Sequence, residues 1–403
     1  MAERQAIAYA VKKKRRHVFT SMAPRTVKIS ASKTPRTRID MFGIPPYGLN
    51  LLRPHAVVNR YRALLSLRSP QASASPAHGV VEAYIEPTVQ CDLDCVFCQS
   101  KTLRRHRRGK LHMTYDEFTH VLDAMPTLAA ITLTGMGEPT LNSDLFRMIG
   151  LARSRGIAVR LVTNCNRHTP DITRNLLSAG LWWIGTSIDG ALDATHERGR
   201  RGGNRPRAME NLQRLLDQRV GRRAPIVNVE MLAFDYNYHE IPDLAQELAA
   251  MGVDELDIRG RLTDWGKQQW KPATIDRRAG NDAPGFHLAV ERARELTKAS
   301  NLEILLSGEP YSAKRRCPKP WGFGVYVATT GDVVPCCTIA DPGVVTMGNI
   351  FRQPWDTIWN SNAYRELRAS LLAGAIPSYC RNCYGEEKSA TQASEAVRWV
   401  STP

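Results

Sequence analysis

Cys91-Asp92-Leu93-Asp94-Cys95-Val96-Phe97-Cys98 places three thiols in one short run. Three thiolates this close can hold three corners of a cubane iron–sulfur cluster and leave the fourth iron open to another ligand. Zinc is the alternative, since Cys95 and Cys98 make a Cys-x-x-Cys pair of the kind zinc takes. The nearest histidine, His106, sits in a run of arginines, and three neighbouring cysteines cannot all pair as disulfides. The segment before the triplet, Val80-Val81-Glu82-Ala83-Tyr84-Ile85-Glu86, is β-branched and aromatic and stops at Pro87, which predicts a strand. The triplet then lies on a loop leaving the C-terminal end of a strand, the catalytic face of α/β barrels.

Working outward, strand-like runs at Ala130–Leu133, Ala158–Thr163, Trp183–Ile188, Ile226–Leu232 and Glu255–Ile258 alternate with helical patterns. The helices fall at Tyr115–Ala124, Ser143–Arg155, Ile172–Ala179, Arg207–Gln218 and Ile241–Met251. This alternation predicts a parallel sheet with right-handed crossovers. Upstream, 41–79 mixes Pro and Gly with a short helical piece, Val57–Leu67. Beyond Gly260, 261–284 reads as a polar, irregular insertion, Pro284–Ser300 as a helix, and Tyr311–Pro403 as a Cys- and Trp-rich region with little βα alternation.

Three strand ends carry further motifs. The second is followed by Thr134-Gly135-Met136-Gly137-Glu138-Pro139, whose glycines allow close backbone approach and whose proline restricts the exit. The third ends Thr163-Asn164-Cys165 and the fourth Ser187-Ile188-Asp189-Gly190. Taken alone, Asn164 is a polar strand-end residue, Cys165 a small buried hydrophobe and Asp189 a turn or cap residue. Asn228 and Glu230 on the fifth strand and Arg259 at the end of the sixth are candidates for the inner barrel wall. A second cysteine set, Cys317, Cys336, Cys380 and Cys383, pairs two distant thiols with a Cys-x-x-Cys, and suits either structural zinc or a fully ligated 4Fe–4S cluster.

The triplet spacing, with an aromatic residue before its last cysteine, resembles the signature of the radical S-adenosylmethionine (radical SAM) superfamily. In that family the open iron chelates SAM, and one electron cleaves it to a 5′-deoxyadenosyl radical that abstracts hydrogen from the substrate. The resemblance implies that Cys91, Cys95 and Cys98 hold this first 4Fe–4S cluster. Gly135, Gly137, Glu138 and Pro139 resemble the Gly-Gly-Glu-Pro motif that binds the SAM amino group. Asn164 lies in a segment similar to a Thr-Asn-Gly ending, with Cys165 in place of Gly. Ser187 and Asp189 resemble the segment contacting the SAM ribose and carboxylate. His196 followed by Arg200 resembles a His-Asp-x-x-Arg stretch, which makes Arg200 a partner for the SAM carboxylate, with Arg198 or Arg201 as alternates. The stretch from Cys317 through Gly331, Cys336, Gly348-Asn349-Ile350 and Cys380-x-x-Cys383 resembles the SPASM/twitch extension. Relatives usually carry seven cysteines there. Four, plus the spare Cys337, imply a single auxiliary 4Fe–4S cluster of the shorter twitch form, with Cys336 taken as the ligand over Cys337.

The implied fold is α/β: a partial (β/α)6 TIM-like barrel with a C-terminal Cys-rich SPASM/twitch domain. The expected division is a basic tail and arm (1–79), the barrel (80–260), a connection (261–310) and the auxiliary domain (311–403). The implied activity is that of a radical SAM oxidoreductase that dehydrogenates or epimerises a sugar, aminoglycoside or nucleotide-type natural-product intermediate, with the auxiliary cluster accepting an electron. The alternatives are a radical SAM maturase of a ribosomal peptide, although no leader-peptide-binding domain is evident at the N-terminus, and an RNA-modifying radical SAM methyltransferase.

The chain has 403 residues and a formal net charge of +16. Residues 1–40 contribute 11 Lys/Arg against two acids, and further basic runs follow at Lys101–Lys110 and Arg198–Arg207. Such charge suits an anionic substrate or a flavodoxin- or ferredoxin-type electron donor. With Tyr9 and Phe19 as the tail's aromatics, a base-stacking platform is poorly supported, and nucleic acid is not the expected partner. No apolar stretch reaches the ~18 residues of a membrane span. The expected setting is cytoplasmic, where nine cysteines point to metal or redox chemistry.

Overall fold

Among the described residues of the computed structural model, ten strands form one open sheet, in the order β10-β9-β8-β1-β2-β3-β4-β5-β6-β7. The structure describes residues 54–68, 73–100, 109–219, 221, 224–260, 265–267, 285–308, 311 and 316–384. The basic tail over 1–40, the run 101–108 and most of the 261–284 insertion lie outside the described residues. The strands are β1 (Glu82–Ile85), β2 (Ala130–Leu133), β3 (Ala158–Thr163), β4 (Trp183–Ser187), β5 (Ile226–Leu232), β6 (Glu255–Arg259), β7 (Glu303–Ser307), β8 (Phe323–Val327), β9 (Asp332–Val334) and β10 (Gly348–Asn349). β1 through β7 pair in parallel, each with its successor.

Helix α1 (Pro54–Arg68) precedes the sheet. The crossovers carry α2 (Tyr115–Ala124), α3 (Leu145–Ser154), α4 (Pro170–Ala179), α5 (Asp193–Gly199), α6 (Arg205–Gln218), α7 (Ile241–Met251) and α8 (Phe286–Thr297). Their boundaries follow from local chemistry. Thr114 and Glu117 close a capping box at the start of α2. Thr169 caps α4, Pro170 opens it and left-handed Gly180 ends it. One sheet face, including Ile85, Leu133, Leu161, Val229 and Ile258, is buried with helix residues such as Phe118, Met148 and Leu212 in the main core. Each such side chain contributes roughly 1.5–3 kcal/mol by leaving water. The other face is polar, as residues directly opposite one another show: Tyr84 against Thr132, Thr132 against Arg160, and Glu230 against Asp257.

Two features depart from the sequence expectation. The chain adds β7 beyond the sixth strand, and β8 pairs in parallel with β1, so the C-terminal region continues the barrel's own sheet. β7 is a half-buried edge strand whose pattern lacks a clear alternation, and β8 finds its partner across more than two hundred residues. The tail is completed by the antiparallel β8-β9-β10 ladder and by α9 (Trp355–Trp359), α10 (Asn362–Leu372) and the short α11 (Arg381–Tyr384). No helix among the described residues is long and apolar enough to cross a membrane.

One buried cation knits this tail together. Arg368 donates from Nε to Pro320 O at 2.9 Å and from Nη1 to Trp359 O and Ala74 O, both at 3.1 Å. Its guanidinium lies 4.0 Å from the Trp359 ring centre. Burial lowers its pKa to about 10. Arg368→Met is expected to strand these carbonyls and lower stability by about 3 kcal/mol, read as a fall in the thermal midpoint with the far-ultraviolet spectrum of the native protein retained.

Candidate functional site

The triplet loop has little regular structure of its own, so its backbone groups are met from neighbouring elements. Glu138 N–H donates to Gln90 O at 2.7 Å, Asp94 N–H to Arg201 O at 2.8 Å and Val96 N–H to Gly199 O at 2.9 Å. The three thiols are half-buried and form no disulfide among the described residues. Burial pushes Cys91 and Cys95 up to about 12, with each other and Cys98 among the charges that add to it for Cys95, while Arg200 opposes. Thiolates gathered here require a partner that supplies positive charge, and a polynuclear iron centre does so. Among the described residues no three His, Cys, Asp or Glu side chains converge as ligands to a single ion. Three neighbouring thiols with one position left open suit a cubane, whose irons are ligated separately, better than zinc, which takes four ligands in structural sites.

The glycine-rich turn after β2 packs directly on this loop. A Cβ on Gly137 would stand 2.4 Å from the carbonyl oxygens of Thr88 and Gln90, and one on Gly135 would stand 2.4 Å from Glu86 Cγ. These glycines thus allow two loops to touch. Pro139 is buried and opens a single 3₁₀ turn. Glu138 is buried and its carboxylate accepts four hydrogen bonds: from Thr140 N–H (3.1 Å), Thr140 Oγ1 (2.7 Å), Thr163 Oγ1 (2.8 Å) and Asn164 N–H (2.8 Å). Burial still raises its pKa against these donors. Its oxygens are engaged within the protein, which makes it a strut between β2 and β3.

Asn164 faces the triplet. Its Nδ2 donates to Asp92 Oδ1 at 2.8 Å and lies 3.9 Å from Cys91 Sγ. Asn166 grips the other Asp92 oxygen at 2.9 Å. Cys165, standing where the resembling motif has glycine, has φ +57°, the left-handed backbone that glycine adopts freely. Its buried Sγ lies 3.4 Å from His168 Nδ1. Because Thr163 Oγ1 donates to Glu138, His168 Nε2–H donates to Thr163 at 3.0 Å, and the bare Nδ1 accepts a hydrogen bond from the Cys165 thiol.

Ser187 is buried at the end of β4, opposite Glu230 on β5. Asp189 is wholly buried and pairs with Arg200 through Nε (2.7 Å) and Nη2 (3.1 Å) while accepting from Leu232 N–H at 3.0 Å. Burial works against the Arg200 charge, but Asp189 and Cys95 outweigh it and hold its pKa above the ordinary value. Arg200 also lies 5.2 Å over the Phe97 ring. Arg198 and Arg201, by contrast, are exposed. The buried salt bridge thus joins the β4 exit to the triplet loop.

Along the polar sheet face, Arg259 bonds Glu230 at 2.6 Å and Asp257 at 3.1 Å, and Arg160 bonds Glu82 at 2.6 Å. Asn228 donates to Glu255 at 3.1 Å near the strand bases. Burial raises Glu230, with Arg259 opposing. Asn228, Glu230 and Arg259 were legible as inner-wall candidates; Glu82, Tyr84, Arg160 and Asp257 were not singled out, although their polar alternation within apolar strands was the available signal. Glu86 is a further residue missed by sequence reasoning. Fully buried, it accepts from Met136 N–H (3.1 Å), Tyr326 OH (2.6 Å) and Thr329 N–H (3.1 Å), tying β1, the glycine turn and β8 together.

The second cysteine set also comes together. Cys317, Cys336, Cys380 and Cys383 line one cavity with Tyr311, Tyr379 and Tyr384. Four thiols around one cavity fit a fully ligated cluster. Cys337 is not in that lining. It accepts from Lys319 Nζ at 3.0 Å and packs, with Tyr84, Cys98 and Trp265, on the patch formed by Met136, Tyr326 and Val334. Burial alone would depress the Lys319 ammonium; Cys337, Tyr84 and the nearby thiols hold it well above its ordinary value.

Two outcomes are expected. Cys336→Ala is expected to lose about four iron per chain, and Cys337→Ala none, by iron and sulfide analysis of anaerobic protein. Equal losses would remove the distinction. For pH, burial lowers His168 and His196 from 6.5 to about 4. Between those values the unfolded chain binds more protons than the folded protein. Stability from these groups is therefore fully present above about 6.5 and declines as the pH falls toward 4. His168→Gln is expected to flatten that acid limb by up to about 3 kcal/mol, measured as thermal midpoint against pH; an unchanged limb would show that His168 is protonated in the fold.

The Radical SAM superfamily model matches residues 85–248, and the SPASM model, an iron-sulfur cluster-binding domain, matches 317–384. The chain is 29% identical to the AdoMet-dependent heme synthase of Methanosarcina barkeri over 306 residues, covering 70% of this chain and 83% of that protein. It is 26% identical to the PqqA peptide cyclase of Bradyrhizobium diazoefficiens, covering 78% and 81%, and 25% identical to the mycofactocin maturase MftC of Mycolicibacterium smegmatis, covering 73% and 74%. Among solved structures, SuiB of Streptococcus suis bound to the precursor peptide SuiA shares the fold, with TM-score 0.58, 14% identity and coverage of 90% of this chain and 80% of that one. The AdoMet-bound anSMEcpe gives TM-score 0.57 at 15% identity, covering 77% and 88%. With the two models matched over the two cysteine sets, the chain belongs to the radical SAM superfamily, as a member with a C-terminal SPASM iron–sulfur domain.

Proposed function

We propose that this enzyme matures a peptide: it abstracts hydrogen from a C–H bond of a precursor and leaves the product oxidised by two electrons, as a crosslink or an unsaturated residue. The family's cofactors are a SAM-binding 4Fe–4S cluster, an auxiliary cluster and SAM; when bound, they supply a 5′-deoxyadenosyl radical and an acceptor for the electron left on the substrate. The observation that carries the reading is the shared patch. Cys98 of one set and Cys337, next to Cys336 of the other, pack on the same residues, so a substrate segment beside the polar sheet face would lie between both centres. The PqqA peptide cyclase and the peptide-bound SuiB favour a peptide as that segment. The sugar, aminoglycoside or nucleotide reading draws no comparable support, and neither does RNA methylation. Oxidation of a small metabolite is the second reading, favoured by the heme synthase relative.

In this assignment Cys91, Cys95 and Cys98 hold the first cluster, and Cys317, Cys336, Cys380 and Cys383 the auxiliary one. Arg200, aligned by Asp189, meets the SAM carboxylate. Ser187 and Asn164 complete the cradle. Gly135, Gly137, Glu138 and Pro139 shape it by holding the turn against the triplet loop. The setting is the cytoplasm.

Anaerobically reconstituted protein is expected to hold about eight iron per chain, and Cys98→Ala about four, with SAM cleavage abolished. Asp189→Asn is expected to weaken SAM binding about tenfold or more, measured by equilibrium dialysis. The substrate class is tested by incubation with peptides encoded beside this gene and with tetrapyrrole and sugar candidates. Loss of two hydrogens from a peptide, by mass spectrometry, is the expected result. Turnover of a small metabolite with no peptide modified would overturn the proposal.

A further inference from the structure

Arginines ring the outside of the triplet loop. Arg201 is exposed, and its carbonyl receives Asp94 N–H at 2.8 Å. Exposed Arg198 is two residues before Arg200 and stands 4.1 Å over the Tyr236 ring. Asn166 bonds both Asp92 (2.9 Å) and Asn204 N–H (3.1 Å), which brings its exposed neighbour Arg167 beside the start of α6, where Arg207 is exposed. The carboxylates nearby are largely committed. Asp92 is gripped by Asn164 and Asn166, Asp193 faces Arg205 and Glu210 pairs with Arg214. Glu197 and Asp235 are further exposed acids on this side, and Asp94 is half-buried on the loop itself, so the four arginines outnumber them.

Beneath this rim three rings stack toward the cysteines. Tyr236 and Phe234 lie 5.2 Å apart with planes 6° off parallel, and Phe234 and Phe97 lie 5.7 Å apart. Phe97 immediately precedes Cys98, and Phe97 and Phe234 pack with Cys95. The cationic rim is thus connected to the triplet by a continuous run of aromatic contacts.

We infer that this face is the docking site of an acidic one-electron carrier protein, flavin- or iron–sulfur-containing, which seats on Arg167, Arg198, Arg201 and Arg207 and passes its electron by way of Tyr236, Phe234 and Phe97. The inference rests on the reading that the triplet holds the reducible cluster; it does not depend on the substrate. Each transfer oxidises the carrier by one electron and reduces the cluster held by the triplet by one. No bond is made or broken. Complementary charge speeds encounter and fixes orientation, and salt weakens both. The long groove on the α2 side, lined by His120, Asp123, Arg352 and Asp356, mixes both signs of charge and lacks this complementarity.

The test uses the full-length reconstituted protein and a purified acidic flavodoxin. Binding is measured by calorimetry across a salt series, and cluster reduction by stopped flow with flavodoxin hydroquinone or with dithionite. Arg198→Glu/Arg201→Glu is expected to weaken binding about tenfold or more and to slow flavodoxin-driven reduction to match, with the dithionite rate and iron content unchanged. Arg167→Glu/Arg207→Glu is expected to act in the same direction and decides the matter if the first pair disturbs the loop. Tyr236→Leu is expected to slow reduction within the complex at unchanged affinity. Arg352→Glu is expected to do nothing. Wild-type affinity in both rim pairs would overturn the inference, as would a loss confined to Arg352→Glu or rim-dependent binding of an RNA oligonucleotide in place of flavodoxin. Iron analysis and the low-temperature paramagnetic resonance signal of each sample report separately whether the triplet holds its cluster.

Discussion

A loop without regular structure has to present three sulfurs in fixed positions, and the strand ends around it exist in the form they do because of that demand. The backbone of 89–98 is held from β2 through Glu138, from the α5–α6 turn through Gly199 and Arg201, and from the chain before α2 through Leu111. Asn164 and Asn166 grip Asp92 from the β3 exit. The residues that hold the loop belong to the same turns that read as cofactor motifs. Gly137 makes the dual use concrete. Its missing Cβ makes room for two carbonyl oxygens of the triplet's own approach, so any side chain there would part the two loops before it met a ligand.

The same demand explains what was legible beforehand. Strands β1 to β6 and the helices between them are written in local apolar periodicity, which survives without knowledge of partners. Their ends carry polar residues at positions that the resemblance could name. What escaped was relational. Tyr84, Glu82 and Asp257 look like ordinary strand residues until register sets Tyr84 beside Thr132 and Asp257 beside Glu230. Glu86 looks like a strand terminus until three donors from distant segments meet on it. β8 carries a readable strand composition, but its parallel seat on β1 is a long-range fact that composition does not hold. The seven-residue α5 lacks a side-chain cap, so the start signal that marked α2 and α4 was missing.

Charge needed structure to be interpreted. A formal net charge of +16 suggests an anionic substrate, yet the sheet face that a substrate would meet is rich in carboxylates. Glu82, Glu230, Glu255 and Asp257 line it, with Arg160 and Arg259 each already bonded to one or two of them. Exposed Arg167, Arg198, Arg201 and Arg207 lie instead around the outside of the triplet loop. Net charge therefore says little about the substrate here, since residues 1–40 alone contribute 11 Lys/Arg against two acids.

Cys337 shows how the two halves of the protein are coupled. Cys336 and Cys337 open the turn that follows β9 and meet different surroundings, Cys336 lining the cavity of the second set while Cys337 packs with Tyr84 beside the sheet face. Lys319 spans the two. It lines that cavity, and its Nζ meets Cys337 at 3.0 Å and stands 5.6 Å over the Tyr84 ring. A buried ammonium is costly unless its donors are met, and here the groups that meet it come from the auxiliary set and from β1 together: Cys337 Sγ, Thr338 Oγ1 at 3.2 Å and the Tyr84 ring. The fold thereby locks the spacing between its two cysteine sets through a shared cation and through the β1–β8 pairing. A substrate radical formed beside the first set would consequently meet the second at a separation fixed by the sheet itself.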